Sequence, residues 1–148
     1  MGTSSVSTCA VTFYDSGGKN GQSGNNEISV MTFCSSTSGQ CVRLTFTSFD
    51  TEPLFDQMVI YNGPNTSSPV IGTYSGTTNP GVVTGTSGCL TIEFTSDGSI
   101  KGTGWSATVS CVACGGGPCG SVCNGGPAPA NDACSGAQNL GLLPIPSA

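Results

Sequence analysis

The residues best equipped for chemistry in this chain are acids. Asp50, Glu52 and Asp56 fall within one short turn of the stretch 49–63, and Asp97 ends the segment 89–97 far along the chain. Crowded carboxylates repel one another unless something positive sits among them. They are also the oxygen donors that a hard divalent cation selects. The competing reading is that these are hydrated loop acids, and the residue types leave both open. Catalysis finds little footing. Paired carboxylates can hydrolyse glycosides, but the chain has no histidine, no Ser or Cys in a nucleophile motif, and nothing that marks a cleft. The protein is expected not to be an enzyme.

The acids need elements to hold them. Residues 42–47 alternate apolar and polar, so Val42, Leu44 and Phe46 share one face of a strand that runs into the acidic turn. Met58 and Ile60 alternate with Val59 and Tyr61 on its far side, and Asn62-Gly63-Pro64 stops that run. The strand 89–97 ends on an acid in the same way. Further short strands are expected at 9–14, 27–33, 70–74, 82–84 and 105–111, with turns at Asp15-Ser16-Gly17-Gly18, Ser75-Gly76 and Pro80-Gly81. Cys34 and Cys41 bracket a Ser/Thr/Gly turn, which predicts a hairpin between the strands on either side. No segment carries a 3.6-residue period. Short strands at this spacing point to an all-β antiparallel sandwich or jelly roll. Trp105 opens the closing strand and is expected in the core.

Composition sets the compartment. Only 7% of the 148 residues are charged, and the net charge is −5. Too few cations exist to neutralise phosphates, which argues against nucleic acid, and the acidity argues against anionic membranes. No run of apolar residues is long enough to span a bilayer, so membrane insertion is not expected. Nine cysteines without histidine indicate disulfides and an extracellular or cell-surface setting. The odd count leaves one over, naturally Cys134. The N-terminus lacks the apolar core of a signal peptide, and Gly2 does not make a convincing myristoylation site, so the chain reads as an excised or mature piece. Asn65-Thr66-Ser67 fits a glycosylation acceptor but reads as a polar turn.

Four stretches follow. Residues 1–8 are a polar lead-in, 9–111 the sandwich, 112–130 a cysteine-stapled linker rich in Gly and Pro, and 131–148 the start of a further segment or an inter-subunit tail.

Taken in order, several pieces resemble the CUB domain family, in the form found in bacterial secreted proteins. They are Phe13-Tyr14-Asp15-Ser16-Gly17-Gly18, Val42-Arg43-Leu44-Thr45-Phe46-Thr47, Asp56-Gln57-Met58-Val59-Ile60-Tyr61-Asn62-Gly63, Ile71-Gly72-Thr73-Tyr74-Ser75-Gly76, Leu90-Thr91-Ile92-Glu93-Phe94 and Gly104-Trp105-Ser106-Ala107. The resemblance implies a jelly-roll sandwich of about ten strands and a calcium ion at one end. Carried over residue by residue, its carboxylate ligands are Glu52, Asp56 and Asp97. The family's tyrosine ligand has no clear counterpart, since Gln22 or Ser23 stands in its place, and Asp15 is the substitute expected to contribute. Many members also bridge the acidic loop to the position before the glycine of Ser75-Gly76; here that position is Ser75 and the loop has no cysteine.

Two disulfide schemes stay open. If both acid-ended strands reach one end, Cys41 and Cys89 share the other and can pair, with Cys9–Cys34 matching the family's first bridge. The rival joins Cys34 to Cys41 and Cys9 to Cys111. Cys111, Cys114, Cys119 and Cys123 have the spacing of a four-thiolate zinc site but are read as disulfide cysteines.

The function expected from all this is a non-enzymatic interaction or adhesion module with calcium-stabilised loops, meeting a protein or glycan, in a bacterial surface or secreted protein. Two alternatives are a subunit of an extracellular filament that contacts copies of itself through its C-terminal tail, and an ancillary domain of a secreted hydrolase.

Overall fold

A computed structural model describes residues 2–115. Nine strands and one short 3-10 turn, Gly18–Asn20, make up its regular structure. The strands are β1 (Gly2–Ser7), β2 (Ala10–Tyr14), β3 (Ile28–Cys34), β4 (Gln40–Asp50), β5 (Gln57–Tyr61), β6 (Val70–Tyr74), β7 (Val82–Thr84), β8 (Cys89–Thr95) and β9 (Gly104–Ala113). They form two sheets, one ordered β1-β3-β8-β5-β6 and the other β2-β9-β4-β7. Every pairing is antiparallel except β1 with β3. This is the all-β sandwich that the alternating segments lead one to expect.

The alternation of β4 has the consequence read from it: Val42, Leu44 and Phe46 are all buried. They meet Met58, Ile60, Leu90, Ile92 and Phe94 from the facing sheet in one core. Aromatic contacts tie the layers together. Phe13 of one sheet stands 4.6 Å, ring centre to ring centre, from Phe33 of the other, and 5.0 Å from Trp105. Each such side chain contributes about 1.5–3 kcal/mol by leaving water. Two threonines on the outer face of the first sheet are buried too, because the loop after β5 folds over them. Thr91 Oγ1 donates to the Gly63 carbonyl at 2.8 Å and shares a hydrogen bond with Thr32.

Two local readings are corrected. Within the polar lead-in, where no strand was expected, residues 2–7 add a parallel edge strand to β3. Their backbone pairing suffices, and none of residues 3–7 is buried. The hairpin expected across 34–41 does not form either. β3 and β4 lie in different sheets, and the turn between them crosses the sandwich.

Three disulfides close one end: Cys9–Cys111, Cys34–Cys89 and Cys41–Cys114. Cys34 and Cys89 are direct cross-strand partners in the β3–β8 ladder, which leaves neither the pairing Cys41–Cys89 nor Cys34–Cys41 available. Cys41 does reach that end, where the Gly88 N–H points at its sulfur from 3.2 Å, but it belongs to the other sheet and bonds beyond β9. The pairing Cys9–Cys34 fails for a similar reason: Cys9 leads into β2, whose neighbour is β9, and β9 carries Cys111. With Cys111 and Cys114 oxidised, a four-thiolate zinc site is excluded. Cys119, Cys123, Cys134 and the expected linker and tail from residue 116 onward lie outside the described residues.

Candidate metal centre

The end of the sandwich opposite the disulfides gathers the acids. β4 leaves one sheet at Asp50 and delivers Glu52; β5 enters the other sheet just after Asp56; β8 ends just before Asp97. One donor oxygen from each of Glu52, Asp56 and Asp97 lies within 4.8 Å of the other two.

Backbone hydrogen bonds build this convergence. Asp56 is 1% exposed. Its Oδ2 accepts the N–H of Glu52 and its Oδ1 accepts the N–H of Asp97, each at 3.2 Å. Asp97 Oδ1 accepts the Ser99 N–H at 2.8 Å, folding the loop after β8 back on itself. That loop then returns to Asp50, whose Oδ2 accepts both the N–H and the hydroxyl of Thr103 at 2.9 Å. From the other side, Ser75 pins the acidic turn. Its hydroxyl accepts the Leu54 N–H at 2.8 Å and donates to the Glu52 carbonyl at 3.1 Å. Gly76 N–H adds a bond to Thr51 Oγ1. At residue 75, where the resemblance implied a bridging cysteine in many members, a serine hydroxyl makes the link to this turn. Sequence reasoning noted the missing cysteine; the short side chain next to a positive-φ glycine was the signal for its replacement.

Glu52 is the least satisfied acid of the site. It is buried, yet its Oε2 has no hydrogen-bond partner. Burial first, then the nearby charges of Asp97 and Asp56 and a hydrogen bond with the Asp97 side chain, raise its pKa above the ordinary value. An orphaned buried oxygen facing two further carboxylates costs free energy as it stands. The donor set is all oxygen, with neither histidine nor thiolate, which suits a hard cation of calcium type rather than zinc. The residues fit such an ion.

Asp15 stands apart from the three. Its Oδ1 accepts the Gly17 N–H at 2.7 Å and its Oδ2 the Trp105 N–H at 2.8 Å, so both oxygens serve the backbone. A Cβ on Gly104, which sits at φ 86°, would run into that carboxylate. Asp15 locks the β2 and β9 ends together. Of the two positions read against the family's tyrosine, Gln22 is exposed, whereas Ser23 is buried with an unpartnered hydroxyl. The neighbouring Gly24 carbonyl accepts Ser96 Oγ at 2.9 Å, so the Ser23 loop is fastened beside Asp97. Trp105 packs in the core against Phe13, Phe46 and Phe94.

Comparison with known proteins agrees with this architecture. A family model described as the CUB domain matches residues 21–109. Human cubilin is 37% identical over 101 residues, which is 62% of this chain and 3% of cubilin. Mouse tolloid-like protein 2 is 34% identical over 86 residues, 55% of this chain and 8% of that protein. The chain thus spans a small fraction of the curated relatives it matches. Among solved structures, the MASP-1 CUB2 domain bound to Ca2+ aligns with a TM-score of 0.60 at 21% identity, covering 72% of this chain and 96% of that one.

Proposed function

The chain belongs to the CUB domain family, and from that premise we propose that it is a non-enzymatic extracellular interaction module whose partner-facing loops are ordered by calcium. The observation that carries this reading is the meeting of Glu52, Asp56 and Asp97 around an unsatisfied, buried Glu52 oxygen. Calcium bound there would supply positive charge, not reaction chemistry. Asp56 holds the two loops in register through its two accepted N–H groups, while Glu52 and Asp97 offer the remaining oxygens. Asp15 serves the site only indirectly, by fixing the β2–β9 corner, and Ser23 brings a buried, unpartnered hydroxyl on a loop that is fastened to Ser96.

The extracellular assignment rests on three disulfides in a small, weakly charged domain. A bacterial host is no part of it, because the relatives at hand are human and mouse proteins. Protein is the partner class we favour. A filament subunit is a second reading, supported by one feature: the edge strand β6 leaves Val70 and Ile71 58% and 40% exposed, as a strand awaiting another would.

Thermal melting in chelator and in millimolar calcium tests the metal reading. With an affinity on the order of 10⁻⁴ M, as extracellular calcium modules show, ten-millimolar calcium stabilises the fold by about 2.7 kcal/mol, a rise of several degrees. Asp97→Asn should abolish the rise, and a wild-type protein that melts identically in both buffers would overturn the reading.

A further inference from the structure

The tripeptide Asn65-Thr66-Ser67 is the only Asn-X-Ser/Thr run in the chain, and the fold presents it at the tip of the loop between β5 and β6. All three residues are exposed. The foot of the loop is fixed. Asn62 Oδ1 accepts the Thr86 N–H at 2.9 Å and its Nδ2 donates to Thr86 Oγ1 at 2.7 Å, while the Gly63 carbonyl accepts Thr91 Oγ1. Asn65 shapes the tip. Its Oδ1 accepts the Ser67 N–H at 3.0 Å and the Ser68 hydroxyl at 3.3 Å, and its backbone carbonyl accepts the Ser68 N–H at 3.1 Å. The carboxamide therefore divides its work. The oxygen keeps the turn. The nitrogen, unlike those of Asn25 and Asn62, donates to no group among the described residues, and it is left for chemistry.

We propose that Asn65 is an N-glycosylation site. The co-reactant is an oligosaccharide carried on a membrane lipid through a pyrophosphate. Asn65 Nδ2 bonds to C1 of the first sugar as the bond from C1 to the pyrophosphate oxygen breaks. One amide proton passes to a base of the transferase, and the lipid pyrophosphate leaves with the electron pair. Nothing is oxidised or reduced. Thr66 is not proline, so the backbone can bend here, and the Ser67 hydroxyl is the group that such a transferase reads two residues on. Three disulfides imply maturation in an oxidising, secretory compartment, where that donor is met. This inference rests on the extracellular part of the proposed function and is independent of calcium. β5 starts just after Asp56 and ends before this loop, so the glycan stands at the disulfide end, away from Glu52, Asp56 and Asp97.

The test expresses the whole chain behind a cleavable signal peptide in cultured animal cells and treats it with an amidase that releases N-linked glycans. Secreted and cell-retained chains are scored alike, so a variant that folds poorly still gives a result. The wild type should lose the mass of one glycan, and residue 65 should be recovered as aspartate in the treated peptide. Asn65→Gln and Ser67→Ala should each abolish the modification, whereas Ser67→Thr should keep it. A wild-type chain with no glycan at Asn65, or a glycan that survives Ser67→Ala, would overturn the site. A bare chain that is secreted with its three disulfides formed fails the site alone and leaves the extracellular reading standing. A glycan on a chain that forms none of those disulfides supports the site and counts against the extracellular reading.

Discussion

Asp97 donates its backbone N–H to Asp56 Oδ1 at 3.2 Å, across 41 residues of sequence and from the end of one strand to the start of its neighbour. The other oxygen of the same carboxylate accepts the Glu52 N–H. One buried side chain therefore sets the positions of both other acids, with or without an ion. Asp56→Ala should cost about 3 kcal/mol, since hydrogen bonds to a charged group contribute about 1.5–3 kcal/mol each and two N–H groups lose their acceptor. Urea denaturation in chelator measures this cost free of calcium. A change under half that size would place the registration elsewhere.

Ser75 takes the role of a covalent bridge with two hydrogen bonds to the acidic turn. Ser75→Ala should lower stability by about 1 kcal/mol. It should also weaken calcium binding, because the turn that presents Glu52 loses its anchor. Paired measurements of denaturation and calcium titration check both effects. A stability loss with untouched calcium affinity would show that the turn holds its shape unaided.

Glu52 predicts a pH dependence for the calcium-free protein. Its pKa in the fold is raised above the ordinary value of 4.5 by burial and by Asp97 and Asp56. The neutral carboxyl therefore favours the native state. Its contribution is complete below the unfolded pKa and disappears as pH rises through the raised folded value. Melting temperature in chelator should fall across that window, and Glu52→Gln should flatten the fall. Calcium binding should run the opposite way and strengthen as the carboxyl ionises.

The bridges Cys9–Cys111, Cys34–Cys89 and Cys41–Cys114 enclose sequence separations of 102, 55 and 73 residues. Loops of this length stabilise by roughly 4 kcal/mol each in the chain-entropy account. Removing the pair Cys34 and Cys89 should lower stability by about that amount. Non-reducing peptide mapping should recover these three linkages; a Cys41–Cys89 peptide would refute the strand arrangement at that end.

The sequence carried much of this and missed particular parts for physical reasons. Alternation in residues 42–47 and 89–95 revealed the buried faces because one side of each strand meets the core. The three acids could be grouped before their strands were known to lie in different sheets, since each closes or opens a strand. β1 was hidden, because an exposed edge strand of mostly polar residues leaves no apolar alternation. Of the disulfides, Cys9–Cys111 was among the pairings left open, but the partners of Cys34 and Cys41 were hidden. Pairing depends on which sheet each strand joins, and the turn between Cys34 and Cys41 looks the same whether it closes a hairpin or crosses the sandwich. Asp15 had the right residue type for a ligand, but it fastens the β2–β9 corner and lies outside the group that Glu52, Asp56 and Asp97 form, a placement that the sequence does not display.

The most direct measurement is a calorimetric titration of the metal-free protein with calcium. The account predicts one binding event per chain, with a dissociation constant on the order of 10⁻⁴–10⁻³ M, lost in Glu52→Gln. No binding heat up to several millimolar calcium, together with an unchanged melting curve, would contradict it.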